Sequence, residues 1–105
     1  MNYLFICSRN QWRSPTAERV FAVGYGIKTR SAGTSRHAKH TVNTQDILWA
    51  NIIFVMENKH KRQIKEKFAR LLKDKKVIVL DIADDYRYMD AELIDILQSA
   101  LIPYL

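Results

Sequence analysis

Cysteine occurs once in these 105 residues, proline twice and glycine three times, and the longest apolar runs are short ones such as Ile52–Met56 and Val77–Leu80. A lone Cys7 cannot close an internal disulfide. The histidines beside it, His37, His40 and His60, are not spaced to complete a structural zinc site. No run approaches the roughly 20 apolar residues that a bilayer crossing needs. The amino terminus passes from Met1-Asn2 straight into Tyr3-Leu4-Phe5-Ile6, with no basic region, long apolar stretch or small-residue cleavage site, so export is not expected. A reducing cytoplasm fits an unpaired thiol. Repeats, linkers and low-complexity segments are also missing, and the 27% of charged residues is ordinary for a folded soluble chain.

What is present allows one core. At 48% hydrophobic, 105 residues suffice for a single domain spanning residues 1–105 and are too few for two. Basic residues outnumber acidic ones 17 to 11, for a net charge of +6 and a pI near 9.6. Such a surface attracts phosphate esters, acidic proteins or nucleic acid without choosing among them.

Apolar patterning alternates between strands and helices. Tyr3–Ile6 predicts a buried strand ending at Cys7, and Ser14 can cap a helix with Pro15 in its first turn. Ala17, Val20, Phe21 and Gly24 recur at helical spacing, with Gly24 and Gly26 expected to stop the helix. Residues 27–31 form a second strand closed by Ala32-Gly33-Thr34, a polar loop follows over 35–41, and a short helix runs over 45–49. The continuous apolarity of 52–56 predicts a strand covered on both faces. Ile64, Phe68, Leu71 and Leu72 form one stripe of a helix whose other positions are mostly Lys, Arg and Glu. A fourth strand at 76–80 leads into the loop 81–89. Asp90 can then cap a last helix carrying Leu93, Ile94, Leu97 and Leu101, which should stop before Pro103. This alternation predicts an open four-stranded parallel sheet with helices on both faces, an α/β Rossmann-like fold, whose ligands gather at the carboxyl ends of the strands. The loops after Cys7 and after Leu80 share that edge.

The stretch Cys7-Ser8-Arg9-Asn10-Gln11-Trp12-Arg13-Ser14 joins a strand to a helix. Its successive N–H groups can curl around an anion above the helix amino terminus. The helix dipole, the Arg13 guanidinium and the Ser14 hydroxyl would each favour negative charge on the Cys7 sulfur. Arg13 can also grip two oxygens of a phosphoryl group, a task for which lysine is a poor substitute. Arg9 adds to the attraction for anions.

Cys-x5-Arg-Ser with Asn10 at the fourth place and Pro15 after the serine resembles the phosphate loop of low-molecular-weight protein tyrosine phosphatases, and of their short bacterial members in particular. Ala17-Glu18, Ser31-Ala32-Gly33-Thr34 and Ala50–Glu57 agree in order, so the resemblance spans nearly the whole chain. It implies Cys7 as nucleophile, Arg13 as phosphate clamp, Ser14 as stabiliser of the thiolate and Asn10 as a brace of the loop. It also implies a general acid in the loop after the fourth strand. Where the family has Asp-Pro-Tyr this chain has Asp84-Asp85-Tyr86, which makes Asp84 the first choice and Asp85 the second. The implied substrates are phosphorylated proteins or small phosphomonoesters, with phosphotyrosine as the class the family suggests. Inorganic phosphate and other oxyanions would bind the loop, and no metal or other cofactor is required. The chain departs from the family in length, in lacking an aromatic wall over residues 35–40, and in carrying Trp12 where many members have a second cysteine.

Blander assignments compete with each of these. A cysteine ending an apolar strand is usually packing, and Cys-x5-Arg by itself is a loose pattern that Asn10, Ser14-Pro15 and the strand–loop–helix context sharpen. Adjacent aspartates before a helix are often solvated or capping. The basic run Lys59-His60-Lys61-Arg62 with the lysines and arginines after it is most simply the wet face of a helix, which places His60 in solvent and not in catalysis. A catalytically weak phosphate or phosphoprotein reader, or a basic nucleic-acid binder, would also account for the charge. Of these partners nucleic acid is the less favoured, and a membrane is not expected. Arsenate reduction relayed through internal thiols is excluded by the single cysteine.

Overall fold

The computed structural model describes residues 1–105. Four strands, β1 (Asn2–Cys7), β2 (Lys28–Gly33), β3 (Ile52–Val55) and β4 (Lys76–Val79), alternate with four helices. These are α1 (Arg13–Tyr25), α2 (Thr44–Trp49), α3 (Asn58–Leu72) and α4 (Ala91–Leu101), and a 3-10 turn over Ile102–Tyr104 holds Pro103 just past the last helix. All pairings are parallel in the order β2-β1-β3-β4. The expected fold is therefore the observed one.

Side chains of a strand alternate between faces, so β1 supplies two cores. Tyr3, Phe5 and Cys7 join Phe54, Phe21 and the Leu93, Leu97, Leu101 stripe beneath α1 and α4. Leu4 and Ile6 join Ile53, Val55, Ile47, Ile64, Phe68 and Leu72 beneath α2 and α3. The Phe5 ring stacks between Phe21 and Phe54, with centroids 5.6 and 5.2 Å away. Each buried ring contributes about 1.5–3 kcal/mol by leaving water. The central strand is thus locked from both sides, and the loop that follows it inherits a fixed base.

Both boundaries of α1 and those of β2 differ from expectation for local reasons. Ser14 does not cap α1: the helix starts at Arg13, Trp12 holds the cap position without a side-chain bond, and the Ser14 hydroxyl is used elsewhere. Gly24 lies inside α1. The stop is Gly26, left-handed at φ 66°, whose N–H bonds Ala22 O in the simple αL closure, while Ile27 N–H reaches Phe21 O. The second strand starts one residue later and ends two residues later than expected, because Ala32 and Gly33 continue the register opposite Ile6 and Cys7. Asp90 does cap α4, accepting from Glu92 N–H.

With β1 between β2 and β3, the strand order reverses at β1, and the crevice at the carboxyl ends of β1 and β3 is where ligands bind in open α/β sheets. The largest cavity, about 550 Å³, opens at the other end of the sheet between Tyr3, Tyr25, Ile27 and Tyr104. It holds none of the chemistry-bearing residues, so size is no guide to the site here.

Candidate active site

The loop from Cys7 to Ser14 is held by its outward-facing carbonyls. Cys7 O, Ser8 O and Arg9 O accept from the N–H groups of Thr34, Ser35 and Lys39 at 3.0, 3.0 and 3.1 Å. Because a trans peptide sets its N–H opposite its C=O, the N–H groups of Ser8, Arg9 and Asn10 turn the other way, into the loop. None of the backbone N–H groups from Ser8 to Trp12 donates to another group of the chain. Close approach of the supporting loop requires Gly33, where a Cβ would stand 2.6 Å from Ser8 O.

Asn10 makes the turn at φ 53°, a strained value for a residue with a side chain, and that side chain sustains it. Its amide donates to Ser14 Oγ at 3.0 Å and to Ser31 Oγ at 2.9 Å, and Ser31 in turn donates to Glu18 at 2.6 Å. Ser14 Oγ sits 3.0 Å from Cys7 Sγ and 3.2 Å from Ala32 O. One hydroxyl proton therefore has two possible acceptors: it goes to Ala32 O when the sulfur carries its own proton, and to the sulfur when it does not.

Arg13 is 2% exposed, and a guanidinium buried to that degree needs partners. Both N–H bonds of Nη1 are used, to Glu57 Oε2 at 2.6 Å and to Ile82 O at 2.8 Å. Nε and Nη2 have no hydrogen bond within the chain. The Asp84 carboxylate stands 3.6 Å from Nε, with its side chain 54% exposed. Burial pushes the Glu57 carboxyl up, but the hydrogen bond and charge of Arg13 outweigh it, with help from Lys59 and His60, and the net shift is downward.

Sequence reasoning missed two members of the site, Glu57 as the arginine's holder and His60. His60 was placed on the wet face of its helix. It is fully buried instead, because a helix's first turn at the sheet edge faces the neighbouring loop and not solvent. Its Nδ1 accepts from Glu57 N–H at 3.0 Å, and its Nε2 lies 2.8 Å from Ser8 Oγ. With Nδ1 an acceptor, the neutral ring carries its proton on Nε2 and donates it to Ser8. Burial, followed by the charge of Arg13, lowers its pKa to about 4, so the ring is neutral near pH 7. The available signal was the three-residue spacing Glu57…His60 at a helix start, a capping-box interval of which the structure forms one half, the bond from Glu57 N–H to His60 Nδ1.

Cys7, Arg9, Gln11, Trp12, Arg13 and Asp84 line a cup of about 20 Å³. Of the residues expected from sequence, the structure places Cys7, Arg9, Gln11, Trp12, Arg13 and Asp84 on the cup, while Ser8, Asn10 and Ser14 do not line it and make supporting hydrogen bonds. It does not bring in Asp85, which is exposed and outside the cup. No aromatic residue comes from 35–40, but Trp12 and Tyr88 share an adjoining cavity of about 420 Å³ with Gln11 and Lys39.

No family model matches the chain, and no curated protein sequence does. Solved structures do. The tyrosine phosphatase Wzb from Escherichia coli K30, determined in complex with phosphate, superposes with a TM-score of 0.78 at 20% identity over 98% of this chain and 94% of that one. A low-molecular-weight phosphotyrosine phosphatase from Vibrio cholerae gives 0.72 at 20% identity, over 99% and 95%. The arginine phosphatase YwlE from Geobacillus stearothermophilus gives 0.69 at 24%, over 94% and 82%. The chain has the low-molecular-weight phosphatase fold. Within that fold the Cys7 loop lies at the carboxyl end of β1, and Asp84 lies beyond the end of β4 at the same edge.

Proposed function

We propose that the protein is a cysteine-dependent phosphomonoester hydrolase. The observation that carries this is the placing of Cys7 Sγ in a loop whose inward N–H groups are unused, beside a buried arginine with Nε and Nη2 unbonded. A dianionic phosphoryl group fits that donor set.

Cys7 thiolate attacks phosphorus and the bond to the ester oxygen breaks. Asp84 gives its proton to the leaving oxygen, leaving a phosphocysteine. Water then attacks phosphorus, Asp84 takes the water's proton, and the P–S bond breaks to release inorganic phosphate and the thiolate. The Ser14 proton turns to the sulfur whenever it is anionic, and the loop N–H groups with Arg13 hold the equatorial oxygens through both steps. In the free protein Asp84 lies toward Arg13 Nε. A bound phosphate takes over that Nε–H and frees the carboxyl for the leaving group. Trp12 and Tyr88 beside the cup favour an aromatic ester such as phosphotyrosine on a protein.

Hydrolysis of p-nitrophenyl phosphate, phosphotyrosine and phosphoarginine by wild type and Cys7→Ser, with vanadate as inhibitor, tests the proposal. Vanadate-sensitive turnover absent from the serine variant is expected. Turnover retained by Cys7→Ser would overturn the mechanism. A preference for phosphoarginine would replace the phosphomonoester by a P–N substrate, with Asp84 protonating the leaving nitrogen, and leave the Cys7 phosphocysteine step standing. Vanadate binding without turnover would favour the phosphate-reader alternative.

A further inference from the structure

Helix α3 carries six lysines and arginines against one carboxylate, Glu66, and its rows differ. Along Arg62, Glu66 and Arg70 the charges alternate at four-residue spacing, an arrangement that supports a helix by itself. The next row, Lys61 and Lys65 running on to Ala69 and Lys73, contains no acid. Like charges at i, i+4 cost a helix a few tenths of a kcal/mol per pair. No carboxylate stands within 4 Å of Lys61, Lys65 or Lys73.

These lysines rim a groove of about 410 Å³ between α3 and β4, floored by Ala69, Leu72 and Val77. Lys75, the fourth cation there, is engaged by Leu48 O and Ala50 O. β4 is an edge strand, so one side of its backbone has no partner strand. Lys61 follows directly on His60, whose ring touches Ser8 of the phosphate loop. From His60 the helix runs about 12 Å at 1.5 Å per residue to a break at Phe68 (φ −127°), and the groove continues past it to Lys73, in all the reach of some five or six extended residues.

We propose that this groove docks an acidic, extended segment of a phosphoprotein substrate, adjacent to the phosphorylated residue. The inference rests on the phosphatase reading for its meaning but not for its binding test. Anionic side chains meet the lysine rim, apolar ones the floor, and the segment's backbone can pair with the edge of β4. Nucleic acid fits less well: the one aromatic residue on α3, Phe68, is buried, so bases find no stacking platform along the row.

The test is fluorescence anisotropy with a labelled unphosphorylated peptide containing six glutamates, an analogue with glutamines in their place, and a single-stranded dT15. Wild type should bind the glutamate peptide and not the glutamine one. Lys61→Glu with Lys65→Glu should weaken that binding at least about tenfold, an effect expected of two lost charge contacts at low salt. Arg62→Glu with Arg70→Glu, the same change in net charge on the neighbouring row, should alter it less than twofold. Equal losses in the two doubles would overturn the groove in favour of net charge alone. Tighter lysine-dependent binding of dT15 at the same salt would overturn the peptide as occupant. Unchanged thermal melting of both doubles excludes a folding artefact. On a phosphotyrosine peptide bearing the acidic segment, the lysine double should raise KM about tenfold while p-nitrophenyl phosphate hydrolysis stays at wild-type rate. Peptide binding with no hydrolysis of any ester would refute the phosphatase reading and leave the groove intact.

Discussion

The two loops that meet over the cup are held in opposite ways. From Cys7 to Ser14 the outward carbonyls and the buried side chains have fixed partners, and only the inward donors are left free: three carbonyls sit on the loop over 34–39, Asn10 on Ser14 and Ser31, and Arg13 on Glu57 and Ile82 O. The loop after β4 is tied at its ends, where Ile82 N–H bonds Met56 O and Met89 N–H bonds Thr16 Oγ1. Between them Asp84 and Asp85 are exposed and no hydrogen bond holds either carboxylate, although Asp84 leans to within 3.6 Å of Arg13 Nε. A scaffold that spends its hydrogen bonds on the anion cradle and leaves the acid on a tether positions phosphate before the substrate arrives and the acid only afterwards.

The most damaging way to break this contrast is to strike its fixed half. Arg13→Lys keeps the charge but cannot reach Glu57, Ile82 O and a phosphoryl group at once, and should lower kcat/KM by about 10³-fold or more. Steady-state kinetics on p-nitrophenyl phosphate check this. A loss under tenfold would mean the guanidinium fork is not what holds the transition state.

On the tethered half the loss should depend on the leaving group. Asp84→Asn is expected to cost about 10²-fold on phenyl phosphate, whose oxygen needs a proton to depart. On p-nitrophenyl phosphate, whose leaving group is a weaker base, it should cost several-fold less. Asp85→Asn should stay within twofold on both. Exchanged behaviour of the two variants would assign the acid to Asp85, and equal effects on both esters would remove Asp84 from proton transfer.

The same division describes what could be read from sequence. Strand β3 and the stripe of Ile64, Phe68 and Leu72 were legible, because burial against a sheet leaves a periodic trace. The Cys7 loop was legible because its residue types and spacing are chemical requirements. Glu57 and His60 were not, since their partners Arg13 and Ser8 lie 44 and 52 positions away and periodicity reports only which face meets the core. Ile82 contributes a backbone carbonyl, which no residue type advertises. Ser14 was assigned two uses, capping and thiolate support, and its one hydroxyl serves the sulfur side.

The smallest effect concerns His60, which fastens the fixed loop to the start of α3. Its pKa of about 4 in the folded protein lies below the ordinary 6.5, so unfolded chains bind the proton more readily. Stability from this group is complete above pH 6.5, is lost as pH falls through 6.5 toward 4, and falls no further below that. The charged groups acting on the ring are Arg13, Glu57, Lys59 and Asp84. Glu57 acts in a lower window, because its depressed pKa removes stability only below about 4.5. Urea unfolding at pH 7.5 and pH 5 should therefore show a His60-dependent loss of about 2 kcal/mol. His60→Asn, whose amide oxygen can replace Nδ1 as acceptor for Glu57 N–H, and His60→Gln, whose amide nitrogen can replace Nε2 as donor to Ser8, should both abolish that loss. They should differ in activity, each preserving one of the two tethers. A wild-type pH dependence retained in both variants would place the titration elsewhere, and the ring would then be a tether without a proton to lose.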